Sequence, residues 1–356
     1  MSKKHHHVRV LIHRAFAAFL TVFLISDVGR VYASRNLQII AQQKESSQAE
    51  VMRAEANRLT QEGVQLFKQG SKESLLAARN KFEAALVLWE KLEDKKWQAS
   101  TILIIGRIYW DLGENQKALQ NFSQALPIFR AVGDRGGEAS ILNNIGLLYS
   151  DLGEKQKALQ YYNQALPLSR AVGDKDGEAT TLNNIGLLYS DLGEKQKALQ
   201  YYNQALTLSR AVGDKFKEAG AFHNIGKVYS NLGENQKALK YYNQALTLSR
   251  AVGNNSVEAA NLNGIGTIYN SLGENQKALE YYNQALTLSR AVGNRSGEAT
   301  NLNNIGFVYS ALGENQKALK YYNQALTLSR AVGNRSGEAA TLIGIGAIYN
   351  SLGENQ

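Results

Sequence analysis

The 356-residue chain has no cysteine, two prolines and five histidines, four of them within the first 13 residues. Without a thiol it can form no disulfide, thiolate metal site or cysteine nucleophile. The one histidine beyond the N-terminal segment, His223, cannot build a zinc site alone. Nor does one sign of charge dominate. Of the net +9, residues 1–33 hold five cations and one anion, so the remainder carries 35 − 30 = +5. That excess is too mild and too dispersed for a nucleic-acid footprint. With 44% apolar and 20% charged residues, the composition fits neither a disordered tail nor a polytopic membrane protein.

Long apolar runs are also missing. Residues 15–26 (AFAAFLTVFLIS) form an uncharged stretch of twelve, short of the roughly 20 helical residues a bilayer core requires. Lys3, Lys4, Arg9 and Arg14 flank it, and Val31-Tyr32-Ala33 follows it. Basic, apolar, then small-x-small is the layout of a secretory signal peptide cut before Ser34. Export to the periplasm or the exterior is therefore expected. An uncleaved membrane anchor is the alternative, because Asp27 and Arg30 interrupt the segment.

What is abundant is repetition. From Thr101 the sequence recurs every 40 residues: LNNIGLLYSDLGEKQKALQYYNQAL at 142–166 returns as LNNIGFVYSALGENQKALKYYNQAL at 302–326. Six complete units fill 101–340. A diverged unit occupies 54–100, a partial one 341–356, and residues 34–53 form a linker or helix start. In the second unit Leu142, Ile145, Gly146 and Tyr149 recur at helical spacing, and Ala158, Tyr162 and Ala165 form a second stripe. Gly153 and Gly173 are placed to end the two helices in the left-handed conformation. Glu154 opens the second helix, and Asp174 caps the next unit. Neither stripe alternates as a strand would, so the chain is all-α, built from pairs of helices A and B.

Each helix A holds a glycine from the series Gly106 to Gly346, at a cost of about 1 kcal/mol relative to alanine. Close approach of small residues on helix B, such as Ala158 and Ala165, is the expected reason. Pro127 and Pro167 fall inside B helices, where kinks are expected.

The residues Leu142, Ile145-Gly146, Tyr149, Gly153, Ala158, Tyr162 and Ala165 resemble the tetratricopeptide repeat, and all six complete units carry this pattern. The resemblance implies a right-handed α-solenoid of helix-turn-helix units whose A helices line a concave groove that binds a peptide or protein segment. Two features depart from the family. Arg170, Arg210 and Arg250 stand where it usually has proline, and the unit is 40 residues long rather than about 34. Without the proline, helix B is expected to run on into a loop such as VGDKDGEA. The long unit resembles kinesin-light-chain-like arrays and bacterial, notably cyanobacterial, arrays associated with CHAT proteases.

The chemistry-bearing residues recur with the period, so no unique catalytic centre, metal or cofactor is expected. Gly264-Ile265-Gly266 and Gly344-Ile345-Gly346 lack the third glycine and the preceding strand of a dinucleotide loop. His223, where other units have Asn143, Asn183, Asn263 and Asn303, reads as a polar surface substitution. Opposite the packed stripe of helix A lie Ser140, Asn144, Leu147 and Asp151, with Asn143 on the flank. Asn144, Asn184, Asn224 and Asn304 would form a ladder able to hydrogen-bond a peptide backbone, or would bond to the neighbouring helix. One groove row varies sharply (Arg107, Leu147, Leu187, Lys227, Thr267, Phe307, Ala347), and another runs Asp111, Asp151, Asp191, then Asn231, Ser271, Ala311. These rows are expected to set partner preference, the aspartates meeting basic side chains.

At the C-terminal end, Leu342, Ile345, Ile348 and Tyr349 are expected to lack a covering helix. That suggests a fragment with further repeats or another domain, or self-association through this end. The leading functional reading is a noncatalytic adaptor. The recognition arm of a larger CHAT-type enzyme and a membrane-tethered assembly factor are the alternatives.

Overall fold

The computed structural model describes residues 35, 42 and 44–353. The proposed leader and residues 354–356 lie outside the described residues. Among the described residues every regular element is an α-helix. The chain divides between Val132 and Gly133 into two compact bodies. The first holds α1 (44–69), α2 (Lys72–Lys91), α3 (Lys95–Asp111) and α4 (Asn115–Ala131). The second holds α5 (Arg135–Asp151), α6 (Lys155–Ala171), α7 (Lys175–Asp191), α8 (Lys195–Val212), α9 (Lys215–Asn231) and α10 (Asn235–Ala251), and then α11 (Asn255–Ser271), α12 (Asn275–Ala291), α13 (Arg295–Ala311), α14 (Asn315–Ala331) and α15 (Arg335–Ser351). Odd-numbered helices are A helices and even-numbered ones are B helices.

Local sequence sets the boundaries. Gly153 and Gly173 take φ of 78° and 70° and end α5 and α6. The Asp174 carboxylate accepts from the Gly177 amide at 2.9 Å and starts α7. The expected loop VGDKDGEA is therefore three residues long, and its second half is the first turn of the next A helix. Helix B does not run on: α5 and α6 have 17 residues each. Where the family's proline would stand, an ion pair spans the turn instead. Arg170 Nε donates to Glu178 Oε1 at 2.7 Å, and the same clip recurs at Arg210–Glu218, Arg250–Glu258, Arg290–Glu298 and Arg330–Glu338. The helices α4 and α6 continue past Pro127 and Pro167 to Ala131 and Ala171.

Packing repeats with the sequence. The buried cluster of Ala158, Tyr162, Leu166, Leu182, Ile185, Leu188 and Ala205 joins α6 to both helices of the following pair, so a pair completes its core only against a neighbour. Helix A's glycine serves the aromatic ring rather than the alanines: a Cβ at Gly146 would lie 2.6 Å from the ring of Tyr162. The ring is the bulkiest group on the facing stripe, and only a missing side chain lets it lie against the A backbone. Tyr149 stacks on Tyr161 with centroids 5.5 Å apart, and Lys157 Nζ sits 5.3 Å from the Tyr149 ring centroid.

In α15, Ile348 is buried and Ile345 half-buried against Ala318 and Tyr322. Those two isoleucines do not lack a partner, because this flank of the stripe faces the preceding B helix. Leu342 and Tyr349, on the flank that faces its own B helix in other units, are 44% and 37% exposed. Among the described residues no helix is long and apolar enough to cross a membrane.

Candidate peptide-binding surface

Within the second body successive A helices touch one another, from α5–α7 through α13–α15, whereas successive B helices do not pack together to the same extent. Closer spacing of the A helices makes theirs the inner side of the stack. Onto that side project Leu187, Lys227, Thr267 and Phe307, all exposed, with Leu147 half-buried. In the first body Arg107 is half-buried, 4.6 Å over the Trp110 ring, and its Nε lies 3.2 Å from Asp111 Oδ1. Asp111, Asp151 and Asp191 are exposed. The backbone carbonyl of Asp191 accepts from Lys155 Nζ at 2.8 Å.

The asparagine ladder is tied across helices. Asn184 Nδ2 donates to Asn143 Oδ1 at 3.1 Å, and Asn224 Nδ2 to Asn183 Oδ1 at 2.9 Å. Asn144 Nδ2 turns back to the Ser140 carbonyl at 2.9 Å, and Asn304 is half-buried.

From α9 onward the pattern shifts. His223 Nδ1 meets Asn261 Oδ1 at 2.9 Å, Asn263 Nδ2 donates to Asn301 Oδ1 at 2.6 Å, and Thr341 Oγ1 donates to Asn303 Oδ1 at 3.0 Å. The residue at the start of each unit does not alone decide this, because Thr181 carries a hydroxyl like Thr341 but turns it to the Gly177 carbonyl, and Asn143 pairs with Asn184. Ala221 offers no polar group, so Asn183 pairs one turn further on with Asn224. Asn261, Asn301 and Thr341 intercept the bond.

His223 is thus a half-buried rung of the spine, not a surface substitution, and its ring lies 5.6 Å from that of Tyr242. Burial pulls its pKa below the usual 6.5 and nearby Lys227 acts in the same direction, against the bond to Asn261. The Gly264 and Gly344 backbones give way to aromatic rings: a Cβ at either would lie 2.6 Å or 2.5 Å from Tyr242 or Tyr322.

Two cavities open beside α9. One, of about 370 Å³, is bounded by His223, Lys227, Tyr242, Asn263, Thr267 and Asn301. The other, of about 170 Å³, lies between α7 and α9 and is lined by Ala179, Ala205, Phe216, Gly220, Ala221 and Val257 among others. Phe216, Gly220 and Tyr242 escape a reading of the sequence that follows the variable rows alone. Aligning 174–181 (DKDGEATT) with 214–221 (DKFKEAGA) would have flagged the first two. Among the described residues no group of three histidine, aspartate or glutamate side chains is placed to hold a metal.

This geometry has known counterparts. The tetratricopeptide repeat profile matches residues 97–171, 137–211, 217–291 and 297–356. No curated protein matches the chain in sequence. Among solved structures, BtubC (BKLC) from P. vanneervenii is similar at 21% identity and TM-score 0.54, over 62% of this chain and 92% of that one. A STAND signal-transduction ATPase with a tetratricopeptide repeat sensor, from Pyrococcus horikoshii, matches at 18% identity and TM-score 0.60 over 85% of this chain, which spans half of that protein. Aspartyl phosphate phosphatase F from Bacillus subtilis matches at 15% and TM-score 0.64, over 81% of this chain and 73% of that one. The repeat profile covers well over half of the residues, the helix pairs are those of an α-solenoid, and the chain belongs to the tetratricopeptide repeat family.

Proposed function

We propose that the chain is a noncatalytic scaffold that binds a peptide or protein segment along the surface of its A helices. One observation carries this reading. In an array whose B helices are almost identical, variation concentrates on the A helices, and it includes the exposed row Leu187, Lys227, Thr267 and Phe307, beside the two cavities. Recognition sites need that kind of local difference, whereas a purely structural spacer does not. The STAND protein's sensor of tetratricopeptide repeats supports the same use of the fold. Within the second body, exposed Asp151 and Asp191 favour basic side chains of the partner at that end, and the basic-apolar leader favours export.

Panning the full chain against a displayed random dodecapeptide library tests this reading. Selected peptides should lose binding when Leu187, Thr267 and Phe307 are changed together to Asp, and keep it when Thr247 on α10 is changed to Asp. Equal loss in both variants contradicts the assignment to the A surface.

A further inference from the structure

The A helix α9 departs from α7 at nine positions. Five of the nine exchanges, Asp176 to Phe216, Thr180 to Gly220, Asn183 to His223, Leu187 to Lys227 and Asp191 to Asn231, fall at steps of three and four residues, a single helical stripe; the others are Gly177 to Lys217, Thr181 to Ala221, Leu182 to Phe222 and Leu188 to Val228. The two cavities lie on either side of this stripe.

Gly220 is the telling residue. It sits inside a helix, where glycine weakens the fold, yet a Cβ there would meet nothing within 4 Å. Packing therefore does not require glycine at this position, unlike Gly226 on the same helix, where a Cβ would lie 2.9 Å from the Tyr242 ring. Gly220 lines the cavity of about 170 Å³ together with Phe216, which is itself 58% exposed, and the matching cavity of about 240 Å³ beside Ala340 stays open with a methyl group at this place. A cavity of roughly 150 Å³ with apolar walls accepts a benzene-sized group, and here Phe216, Val257 and three alanines share the walls with Thr180, Asn183, Ser209, Lys217 and Asn224. Further along the stripe, Lys227 is exposed, forms no ion pair among the described residues and is the one charged residue lining the larger cavity.

We propose that α9 is the reading head of the array. The cavity at Gly220 takes one large apolar side chain of the bound peptide, and Lys227 pairs with an acidic residue of the same peptide. Seven helical residues separate the two positions, about 10 Å along the axis, so an extended peptide spans them in about three residues. This inference rests on the peptide-binding reading above and assigns that reading's ligand chemistry.

The test uses the full chain, a dodecapeptide chosen from the displayed library and its affinity by fluorescence anisotropy. The selected peptides should pair a Phe, Leu or similar residue with an Asp or Glu about three positions away. Gly220→Leu, whose Cβ would meet no neighbour within 4 Å, should weaken binding at least tenfold at an unchanged circular dichroism spectrum and melting temperature or a raised one. Lys227→Leu, the residue the chain itself carries at this place one unit earlier, should weaken binding severalfold and flatten its salt dependence. Peptides without that pair, or undiminished affinity for Gly220→Leu, would overturn the proposal and leave groove binding standing. Failure to select any peptide would overturn both.

Discussion

A Cβ on Gly146 would stand 2.6 Å from the ring of Tyr162, which is 1% exposed. This contact between helix A and helix B of one pair recurs at Gly186–Tyr202, Gly226–Tyr242, Gly266–Tyr282 and Gly306–Tyr322. It fixes how closely the helices approach, and so where the A surface lies.

Alanine at Gly146 should destabilise the fold, because overpacking costs about 1–3 kcal/mol and outweighs a gain of about 1 kcal/mol in helix propensity. Gly346 occupies the same place in α15 and would meet nothing within 4 Å. There alanine should leave the urea midpoint unchanged or raise it. Shifts of the same sign for Gly146→Ala and Gly346→Ala would refute the ring-contact explanation.

The Arg–Glu clip should act as the unit-to-unit tie where the family's proline is missing. Burial pushes the Glu218 pKa up, but hydrogen bonds and charge from Arg210 and Lys215 outweigh it and hold the group below its ordinary 4.5. A depressed carboxylate stabilises above its unfolded pKa and loses that contribution as the pH falls through the folded value. Glu218→Gln should cost about 1.5 kcal/mol near pH 7, and the gap to the parent chain should close below pH ~4. A gap that persists in acid would show that the ion pair is not its source.

His223 behaves oppositely. Its folded pKa lies below the unfolded 6.5, so the unfolded chain takes up its proton first and stability declines as the pH drops from 6.5. Thermal unfolding at pH 7.5 and 5.0 should show a larger loss for the parent than for His223→Asn. Equal losses would place the acid sensitivity elsewhere.

Asn183 and Asn224 bond across helices at 2.9 Å. A double-mutant cycle with alanine at both should give a coupling of about 0.5–1.5 kcal/mol. Zero coupling would mean that water replaces the bond at no cost.

Much of this was legible in the sequence. The 40-residue period, both stripes, the left-handed glycines and the Asp174 cap follow from helical spacing and backbone chemistry, which are local. Most of the misreadings were non-local. Gly146 could not reveal that its partner is the Tyr162 ring rather than Ala158, because both lie on the facing stripe. The segment DKDGEA looks like a loop until the Asp174 cap is seen to turn its second half into helix. Asparagine at two adjacent positions left the rungs open, and only the packing of neighbouring A helices shows which partner each rung takes. Gly220 passed as one glycine among 31, since only coordinates separate a glycine that accommodates a ring from one that leaves a space.

The most direct test of the account uses the chain's lack of cysteine. Single cysteines introduced by Leu187→Cys, Thr267→Cys and Thr247→Cys give uniquely alkylatable sites, the first two on A helices and the third on a B helix. Maleimide labelling rates are then measured with and without a saturating selected peptide. A peptide lying along the A surface should slow labelling severalfold at positions 187 and 267 and leave 247 unchanged. Protection at 247 without protection at 187 and 267 would contradict the central claim.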